Sequence, residues 1–307
     1  MTRVLRLGTR ASALATTQSG HVADMVRALG HEVELVLVST EGDVNRAPLA
    51  QMGGTGVFVS ALRDALLDGT VDFAVHSLKD LPTTPQDGIT LAAIPQREDV
   101  RDVIVSRDGL ALADLPAGAT VGTGSPRRAA QIKALGLGLE VVGVRGNVDT
   151  RIGKVTSGEL DAVVLAHAGM NRLGRDAEVS EALDPSVMLP APGQGALAIE
   201  CRSDDTGLVE ILGELDHAHT RAAVVCERQV LATLEAGCSA PLGALAEVVD
   251  ADNGAELRVR AVALSHDGTV VVRNEAAGPP DDPRGLGARL GSAMLADGAA
   301  ALMEANA

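Results

Sequence analysis

FAVHSLKDLP, residues 73–82, is the stretch of this sequence that indicates most about the fold. An apolar run leads into it and ends in polar residues, and Pro82 then prevents a regular element from continuing. A buried parallel strand that delivers polar side chains at its carboxyl end has this pattern, and open α/β sheets place ligand sites at that end. The stretch therefore predicts an α/β fold with Lys79 and Asp80 as candidate site residues. Taken alone, a Lys–Asp pair at a strand end can equally be a solvated surface pair.

The sequence around this stretch alternates strand and helix patterns. Apolar spacing predicts a strand over 4–7, a helix over 12–29 and a strand over 33–38, which form a βαβ unit and indicate a parallel sheet. A second α/β series of the same kind follows in the middle of the chain. The last part differs, because alternating strands over 256–263 and 269–273 and one terminal helix are typical of a small α+β domain.

These patterns predict three domains. The first consists of residues 1–95 and 196–213 and the second of residues 101–189, and both are α/β domains. The third, residues 218–307, is the small C-terminal α+β domain. Proline and glycine in LPAPGQG, residues 189–195, make this segment the clearest predicted linker.

The composition limits the class of protein. No apolar run is long enough to span a bilayer, and the amino terminus lacks the apolar segment of a signal peptide, so we expect a cytoplasmic protein. The net charge of −15 argues against nucleic acid or an anionic membrane as a partner. No cysteine spacing and no His–Glu pattern on a helix suits a metal, so no metal is predicted.

VGTGSPRRAAQ, residues 121–131, has the features of a helix start that binds an anion. Ser125 is a good N-cap, and Pro126 suits the first helical position. Arg127 and Arg128 then lie in the first turn, where the helix dipole disfavours cations. Because a helix amino terminus attracts anions, two arginines placed there indicate a bound anion.

The same arrangement recurs in VRGNVDTR, residues 144–151. Arg145 follows a predicted strand, and Arg151 lies one turn into the helix that follows. Arg10 and Arg172 occupy further turns at the ends of strands or helices. Each of these arginines alone could be solvated, but their repetition in both halves predicts a cleft between two α/β domains with arginine forks suited to several carboxylates.

The three cysteines lie in different predicted environments. Cys226 lies on the apolar face of a helix and Cys201 at the end of a strand, so we expect both to be buried, inert thiols. Cys238, in LEAGCSAP, lies on a loop after a helix, where either a structural or a functional role is open.

Several motifs together resemble the hydroxymethylbilane synthase (porphobilinogen deaminase) family over nearly the whole chain. They are, in order, GTRAS, PLAQMGGTGVF, AVHSLKDLP, GTGSPRR, RGNVDTR, AGMNRLG, LPAPGQGALAIECR and LEAGCSAP. The resemblance implies two domains like type II periplasmic binding proteins and a third domain whose cysteine carries a dipyrromethane cofactor through a thioether. It implies a monomeric transferase of tetrapyrrole and heme biosynthesis that condenses four porphobilinogens head to tail, with loss of ammonia, to hydroxymethylbilane.

The resemblance also implies roles for individual residues. By motif position Cys238 carries the dipyrromethane, and Asp80 is the catalytic carboxylate that faces the cationic azafulvene left when ammonia departs. The residues expected to contact the cofactor are Lys79, Asp80, Thr123, Ser125, Arg127, Arg128 and Arg145. Those expected to contact the substrate are Arg10, Ser12, Arg145, Arg151 and Arg172.

The chain departs from the family pattern at a few positions. Gln51 and Thr55 stand where many members carry lysine, so fewer charges are expected in that loop, whereas Phe58 keeps the usual aromatic residue. Gly124 stands where serine is common, and His167 where the residue is usually apolar. These two changes leave the proposed chemistry in place but affect the details of binding.

Two other classes of protein remain as alternatives. A solute-binding or sensor module would also need two α/β lobes and an arginine-lined cleft, but it would not use Cys238. An enzyme that forms an imine on Lys79 would likewise give Cys238 no role.

Overall fold

The computed structural model of the chain describes residues 3–38, 56–236, 240–251 and 254–304. Its strands are β1 (Leu5–Thr9), β2 (Val33–Leu37), β3 (Phe73–Ser77), β4 (Ile89–Ala93), β5 (Asp102–Ser106), β6 (Thr120–Gly122), β7 (Glu140–Val142), β8 (Ala162–Ala166), β9 (Glu181–Ala182), β10 (Leu197–Arg202), β11 (Leu242–Ala251), β12 (Gly254–Leu264) and β13 (Val271–Gly278). Its α-helices are α1 (Ala13–Ala28), α2 (Gly56–Leu67), α3 (Pro126–Ala134), α4 (Val148–Thr156), α5 (His167–Arg172), α6 (Thr206–Gly213), α7 (Ala218–Thr233), α8 (Pro283–Ala296) and α9 (Ala300–Glu304). Within these ranges no helix is both long enough and apolar enough to span a bilayer.

The strands form three sheets. The first has the order β2-β1-β3-β10-β4 and the second β7-β6-β8-β5-β9. In each, three neighbouring strands are parallel and one returning strand, β10 or β5, runs antiparallel to its neighbours. The third sheet, β11-β12-β13, is antiparallel. The prediction of two α/β domains and a small C-terminal α+β domain is confirmed, and the likeness of the first two to type II periplasmic binding proteins stays a prediction.

The chain divides into two compact units. One comprises Met1–Arg97 with Ala196–Arg221 and contains the first sheet. The other comprises Glu98–Gly195 with Ala222–Ala307 and contains the second and third sheets. The boundaries of the three domains given from the sequence stay a prediction.

Local signals in the first unit lead to the elements expected from them. Ser12 caps α1, because its hydroxyl accepts a hydrogen bond from the Ala15 N–H at 3.4 Å. Val22 and Val26 form part of the buried face of that helix. They share an apolar core with Phe73, which is completely buried at the start of β3. The buried strand predicted before the polar residues of FAVHSLKDLP is therefore present as β3.

The C-terminal region differs from the sequence prediction in two ways. The ten residues of β11, LGALAEVVDA, were not predicted as a strand. Alanine and leucine have high helix propensity, and pairing with β12 along its full length overrides that preference. The single terminal helix is instead two helices, α8 and α9, because Gly298 between them has a φ of +94°, which a right-handed helix cannot contain.

Residues 189–195 are a buried segment of the second unit, although their sequence predicted a linker. Leu189 and Gln194 are at most 1% exposed. The Leu189 N–H donates to the Gln131 side-chain oxygen at 2.8 Å, and the Ala244 N–H donates to the Pro190 carbonyl at 2.9 Å. The segment is rich in proline and glycine because it belongs to neither a helix nor a strand. Its backbone polar groups form hydrogen bonds with side chains and with neighbouring backbone instead.

Candidate functional site

In the first unit, the predicted site residues follow the carboxyl ends of adjacent parallel strands. β1 and β3 pair in parallel, so their carboxyl ends lie at the same edge of the sheet. Arg10 directly follows β1, and a single 3₁₀ turn, Leu78–Asp80, directly follows β3. Asp80 is exposed and Lys79 is half-buried. The structure thus places Arg10, Lys79 and Asp80 at one sheet edge.

The turn that carries Asp80 is held from both sides. The Leu78 N–H donates to the Ala196 carbonyl at 3.0 Å, just before β10 begins. The Gln18 amide on α1 donates to the Ser77 hydroxyl at 3.1 Å, and this hydroxyl can return a bond to the amide oxygen. Because its neighbours are fixed in this way, the Asp80 backbone has a defined position.

An ion cluster that the sequence did not reveal connects α2, β3 and β10 next to this turn. Arg63 donates two hydrogen bonds to Glu200, at 3.0 and 2.7 Å, and the Nε2 of His76 lies 3.3 Å from a Glu200 oxygen. Burial by itself would raise the pKa of Glu200, but His76 and Arg63 lower it to about 2. Glu200 is therefore ionised at neutral pH although it is buried. His76 and Glu200 are distant in the sequence, and only the pairing of β3 with β10 brings them close together.

In the second unit, the helix start predicted from GTGSPRR is present. The Ser125 hydroxyl accepts from the Arg128 N–H at 3.5 Å, and Pro126 is the first helical residue of α3. The Ser125 N–H in turn donates to the Thr123 hydroxyl at 3.1 Å, so both hydroxyl residues order the turn after β6. A Cβ at Gly124 would lie 2.7 Å from the Val144 carbonyl oxygen. The Val144 carbonyl oxygen therefore leaves too little room for a serine side chain here, and glycine fits.

Arg127 and Arg128 share a buried carboxylate. Asp102 is fully buried at the start of β5, which is antiparallel and so begins at the edge where β8 ends. Arg128 donates to one Asp102 oxygen from Nε at 3.0 Å and from Nη2 at 2.7 Å, and Arg127 Nη1 lies 2.8 Å from the other oxygen. Burial alone would raise the pKa of Asp102, yet the two arginines hold it well below its ordinary value. The sequence analysis did not identify Asp102.

This cluster carries more positive than negative charge. Two guanidinium groups face one carboxylate, and both arginines are at most 5% exposed. Burial lowers the pKa of Arg127 despite the opposing charge of Asp102. Within the described ranges, the Nε of Arg127 is buried without a hydrogen-bond partner. A buried cation with an unused N–H group is stabilised by an additional anion.

Arg151 and Arg172 are further partly buried cations of the same unit. Burial lowers the pKa of both, and the charge of Arg128 contributes to the effect on Arg151. Arg151 donates to the Gly146 carbonyl at 2.8 Å and Arg172 to the Gly195 carbonyl at 2.7 Å. In the part of the chain that the structure describes, neither forms an ion pair with a carboxylate. Both therefore suit an anionic ligand.

The remaining members of the predicted set lie on turns of the same two units. Arg145 is exposed in the turn after β7, and Asn147 caps α4 by accepting the Thr150 N–H at 2.8 Å. His167, the departure from an apolar residue, is buried with its ring nitrogens 2.9 Å from Asp99 and 2.6 Å from Asp176. This histidine has polar partners and is not an isolated polar group in the core.

The cysteine predictions have two outcomes. Cys201 and Cys226 are free and buried, and burial raises the pKa of their thiols to about 11 and about 12. The prediction that these two thiols are buried is confirmed, and their low reactivity stays a prediction that the raised pKa values support. Cys238, Gln51 and Thr55 lie outside the described residues, as does the side chain of Phe58. Among the described residues, no group of three His, Cys, Asp or Glu side chains could hold a metal ion.

Two family models match the chain. The model for the porphobilinogen deaminase, dipyromethane cofactor binding domain, matches residues 5–210. The model for the porphobilinogen deaminase C-terminal domain matches residues 221–296. Together they cover both compact units, so the alternatives of a sensor module and of a Lys79 imine enzyme are not supported.

Curated relatives agree with these models. The chain is 57% identical to porphobilinogen deaminase 1 of Streptomyces coelicolor, over 98% of each chain. It is 54% identical to porphobilinogen deaminase of Mycobacteroides abscessus, over 98% of this chain and 99% of that protein. Among solved structures it is similar to a periplasmic binding protein of Salmonella typhimurium, with a TM-score of 0.41 and 18% identity over 70% of this chain and 92% of that chain.

Proposed function

The chain belongs to the porphobilinogen deaminase family, and from that premise we propose which of its residues bind, hold and activate the substrate. The protein is a transferase of tetrapyrrole biosynthesis with a dipyrromethane cofactor. Its reaction condenses four porphobilinogens head to tail with release of ammonia and yields hydroxymethylbilane. The observation that best supports an assignment of residues is the surplus of positive charge in the second unit, at the buried Arg127 and Arg128 and the partly buried Arg151.

The donor set of this unit fits a dipyrromethane. Each of its pyrroles carries an acetate and a propionate, so the group is a compact polyanion. Among the described residues, Arg127 has an unused buried N–H, and the hydrogen bonds of the Arg151 and Arg172 guanidinium groups go to backbone carbonyls, which suits carboxylates that arrive with the ligand. When bound through Cys238, the cofactor supplies the pyrrole carbon to which the first substrate is joined. Lys79, Thr123, Ser125, Arg128 and Arg145 complete the proposed set of cofactor contacts.

Arg10, Ser12, Arg145, Arg151 and Arg172 are assigned to the carboxylates of the substrate. A guanidinium group binds a carboxylate through two parallel hydrogen bonds and so fixes its orientation as well as its position. Because successive pyrroles carry the same side chains, the same arginines can serve each round of addition. Binding of carboxylates also lowers the cost of burying Arg151 and Arg172.

Asp80 is proposed as the catalytic carboxylate. Loss of ammonia leaves positive charge on the carbon that will be attacked, and an ionised carboxylate nearby stabilises that charge. Its turn is held by the bonds of Leu78 and Ser77, so little reorganisation is needed when the charge develops. Asp80 is also suited to accept hydrogen bonds from pyrrole N–H groups.

The mass of the denatured protein tests the assignment of Cys238. The wild type should exceed the mass of its sequence by two linked pyrroles, and Cys238→Ala should lack the excess. Cys226→Ala is the matched control, because its thiol is buried and should carry nothing. An active wild-type protein without the excess, or a Cys238→Ala protein that keeps it, would contradict the proposal. We further propose that the protein is cytoplasmic and monomeric. Light scattering on the purified protein measures its oligomeric state directly.

A further inference from the structure

The segment of residues 189–195 is bound firmly to the arginine cluster of the second unit. Arg127 donates from Nη1 to the Leu189 carbonyl at 2.7 Å. The Gln194 side chain is fully buried and donates to the Val100 carbonyl at 2.8 Å and to an Asp102 oxygen at 2.9 Å. One end of the segment therefore contacts Arg127, and the other contacts the carboxylate that Arg127 and Arg128 share.

The opposite side of the segment is bound to α7 and β11. The key group is Glu227 on α7, whose side chain is fully buried. One of its oxygens accepts the Gly193 N–H at 2.7 Å, and the other accepts the Ala246 N–H of β11 at 2.8 Å. A single carboxylate thus connects α7, β11 and the 189–195 segment through backbone groups.

These two elements are the ones that flank Cys238 in the sequence. α7 ends at Thr233 and β11 begins at Leu242. The chain next to them is also hydrogen-bonded, since the Ala236 N–H donates to the Leu231 carbonyl at 3.1 Å. Whatever fixes α7 and β11 therefore fixes the described chain on both sides of Cys238.

We propose that Glu227 is a positioning residue, which sets where α7 and β11, the elements on either side of Cys238 in the sequence, lie relative to Arg127 and Arg128. This inference rests on the proposed function, in which Cys238 carries the dipyrromethane. A ligand attached covalently at one end reaches its carboxylate partners only if the distance from anchor to cations is maintained. The contacts of Glu227 with Gly193, and of the adjacent Gln194 with Asp102, provide a continuous connection for that purpose.

The chemistry of the carboxylate makes this role testable by small changes. Glu227 accepts two N–H groups that point at it from different elements. In Glu227→Gln the shape is retained, but the amide NH₂ is a donor and cannot accept the second N–H. In Glu227→Asp the charge is retained, but the shorter side chain cannot reach both donors together. Both changes should loosen the connection without removing Cys238 or any arginine.

The experiment measures cofactor loading separately from stability. Wild type, Glu227→Gln and Glu227→Asp are purified, and the fraction that carries the extra mass of two pyrroles is measured on the denatured proteins, together with the Tm of each. Asp72→Asn is the matched control, because Asp72 is also fully buried and also accepts a backbone N–H, from Arg6 at 2.8 Å in the first unit.

We expect loading of both Glu227 variants to fall at least threefold, whereas Asp72→Asn stays loaded like the wild type even where it lowers the Tm as much. In the loaded fraction of the Glu227 variants, kcat should fall more than KM changes. Glu227→Asp supplies the result if Glu227→Gln does not fold.

Full loading of the Glu227 variants would overturn the inference, and so would an equal loss of loading in Asp72→Asn. Failure of the proposed function would look different, because the wild type would then lack the extra mass or Cys238→Ala would retain it.

Discussion

Asp80 and Arg151 differ both in the sign of their charge and in their burial. Asp80 is an exposed carboxylate on a turn whose neighbours are fixed by hydrogen bonds. Arg151 is a partly buried cation whose pKa is lowered by burial and whose described partner is the Gly146 carbonyl. The first is suited to stabilise a charge that develops during reaction, and the second is suited to bind a charge that the ligand brings.

Asp80→Asn should fold and retain its cofactor but turn over very slowly. Loss of one preorganised electrostatic contact with the transition state lowers kcat by about 10²–10³-fold in well-studied enzymes. Steady-state rates with porphobilinogen, on protein whose loading has been confirmed by mass, give the measurement. Asp87→Asn removes an exposed carboxylate outside the turn and should keep the wild-type rate. A wild-type rate in Asp80→Asn would remove Asp80 from the mechanism.

Arg151→Met should raise KM without lowering the Tm of the ligand-free protein. A hydrogen bond to a charged group stabilises by about 1.5–3 kcal/mol, so KM should rise by about 10- to 100-fold. The Tm should stay constant or rise, because an apolar side chain replaces a partly buried cation that forms no ion pair with a carboxylate among the described residues. Arg258→Met, at an exposed arginine paired with Glu256 on β12, is the control and should leave KM unchanged. An unchanged KM in Arg151→Met would exclude its contact with substrate.

At the scale of elements, buried side chains connect strands and helices that are not joined to each other by backbone hydrogen bonds. Asp102 joins β5 to α3 through Arg127 and Arg128, and Gln194 adds the 189–195 segment to the same carboxylate. The sheet places the start of antiparallel β5 at the edge where parallel β6 and β8 end. A single aspartate can therefore orient two arginines that follow another strand.

Asp102→Asn should destabilise the second unit strongly. Removing one partner of a buried ion pair costs about 3–5 kcal/mol, because the remaining charges are left without compensation. Urea unfolding, followed by circular dichroism, measures the change. Glu256→Gln breaks an exposed pair, Arg258–Glu256, and should change the free energy of unfolding by less than about 1 kcal/mol. Equal effects of the two substitutions would show that the Asp102 cluster does not stabilise the unit.

At the scale of the whole molecule, the structure combines a large negative net charge with buried carboxylates that remain ionised. The net charge is −15, yet each of Asp72, Asp102 and Glu200 is buried and pairs with at least one arginine. Burial raises the pKa of Asp72 and of Glu200, but Arg6 and Arg3 for the former, and His76 and Arg63 for the latter, lower each to about 2. In the folded protein these carboxylates are therefore held in their charged form.

The stability of the protein should fall as the pH falls below about 5. The folded-state pKa values of Asp72 and Glu200 are about 2, below their ordinary values of 3.8 and 4.5. A lowered folded-state pKa stabilises above the unfolded-state pKa, and this stabilisation is lost as the pH decreases towards the folded-state value. The Tm should thus change little from pH 7 to 5 and decrease from pH 5 to 2. The double variant Asp72→Asn, Glu200→Gln should show a shallower decrease, and a Tm that rises below pH 5 would contradict this account.

The sequence by itself determined the features that depend on near neighbours in the chain. The caps at Ser12 and Ser125 and the placement of Asp80 after a buried strand were predictable, because capping and strand ends involve residues at most a few positions apart. The order of the motifs was sufficient to identify the family. Strand β11 was missed because its composition favours a helix and only pairing with β12 makes it a strand.

Only the tertiary structure decided which buried charges meet. Asp102 and Arg127 are 25 positions apart and Glu227 and Gly193 are 34 positions apart, and no local pattern indicates that either pair is in contact. Burying an ionised side chain is favourable only when its partners are in place, and those partners are supplied by strand order and by the packing of separate elements. For that reason a segment whose composition indicates a linker became a buried part of the second unit.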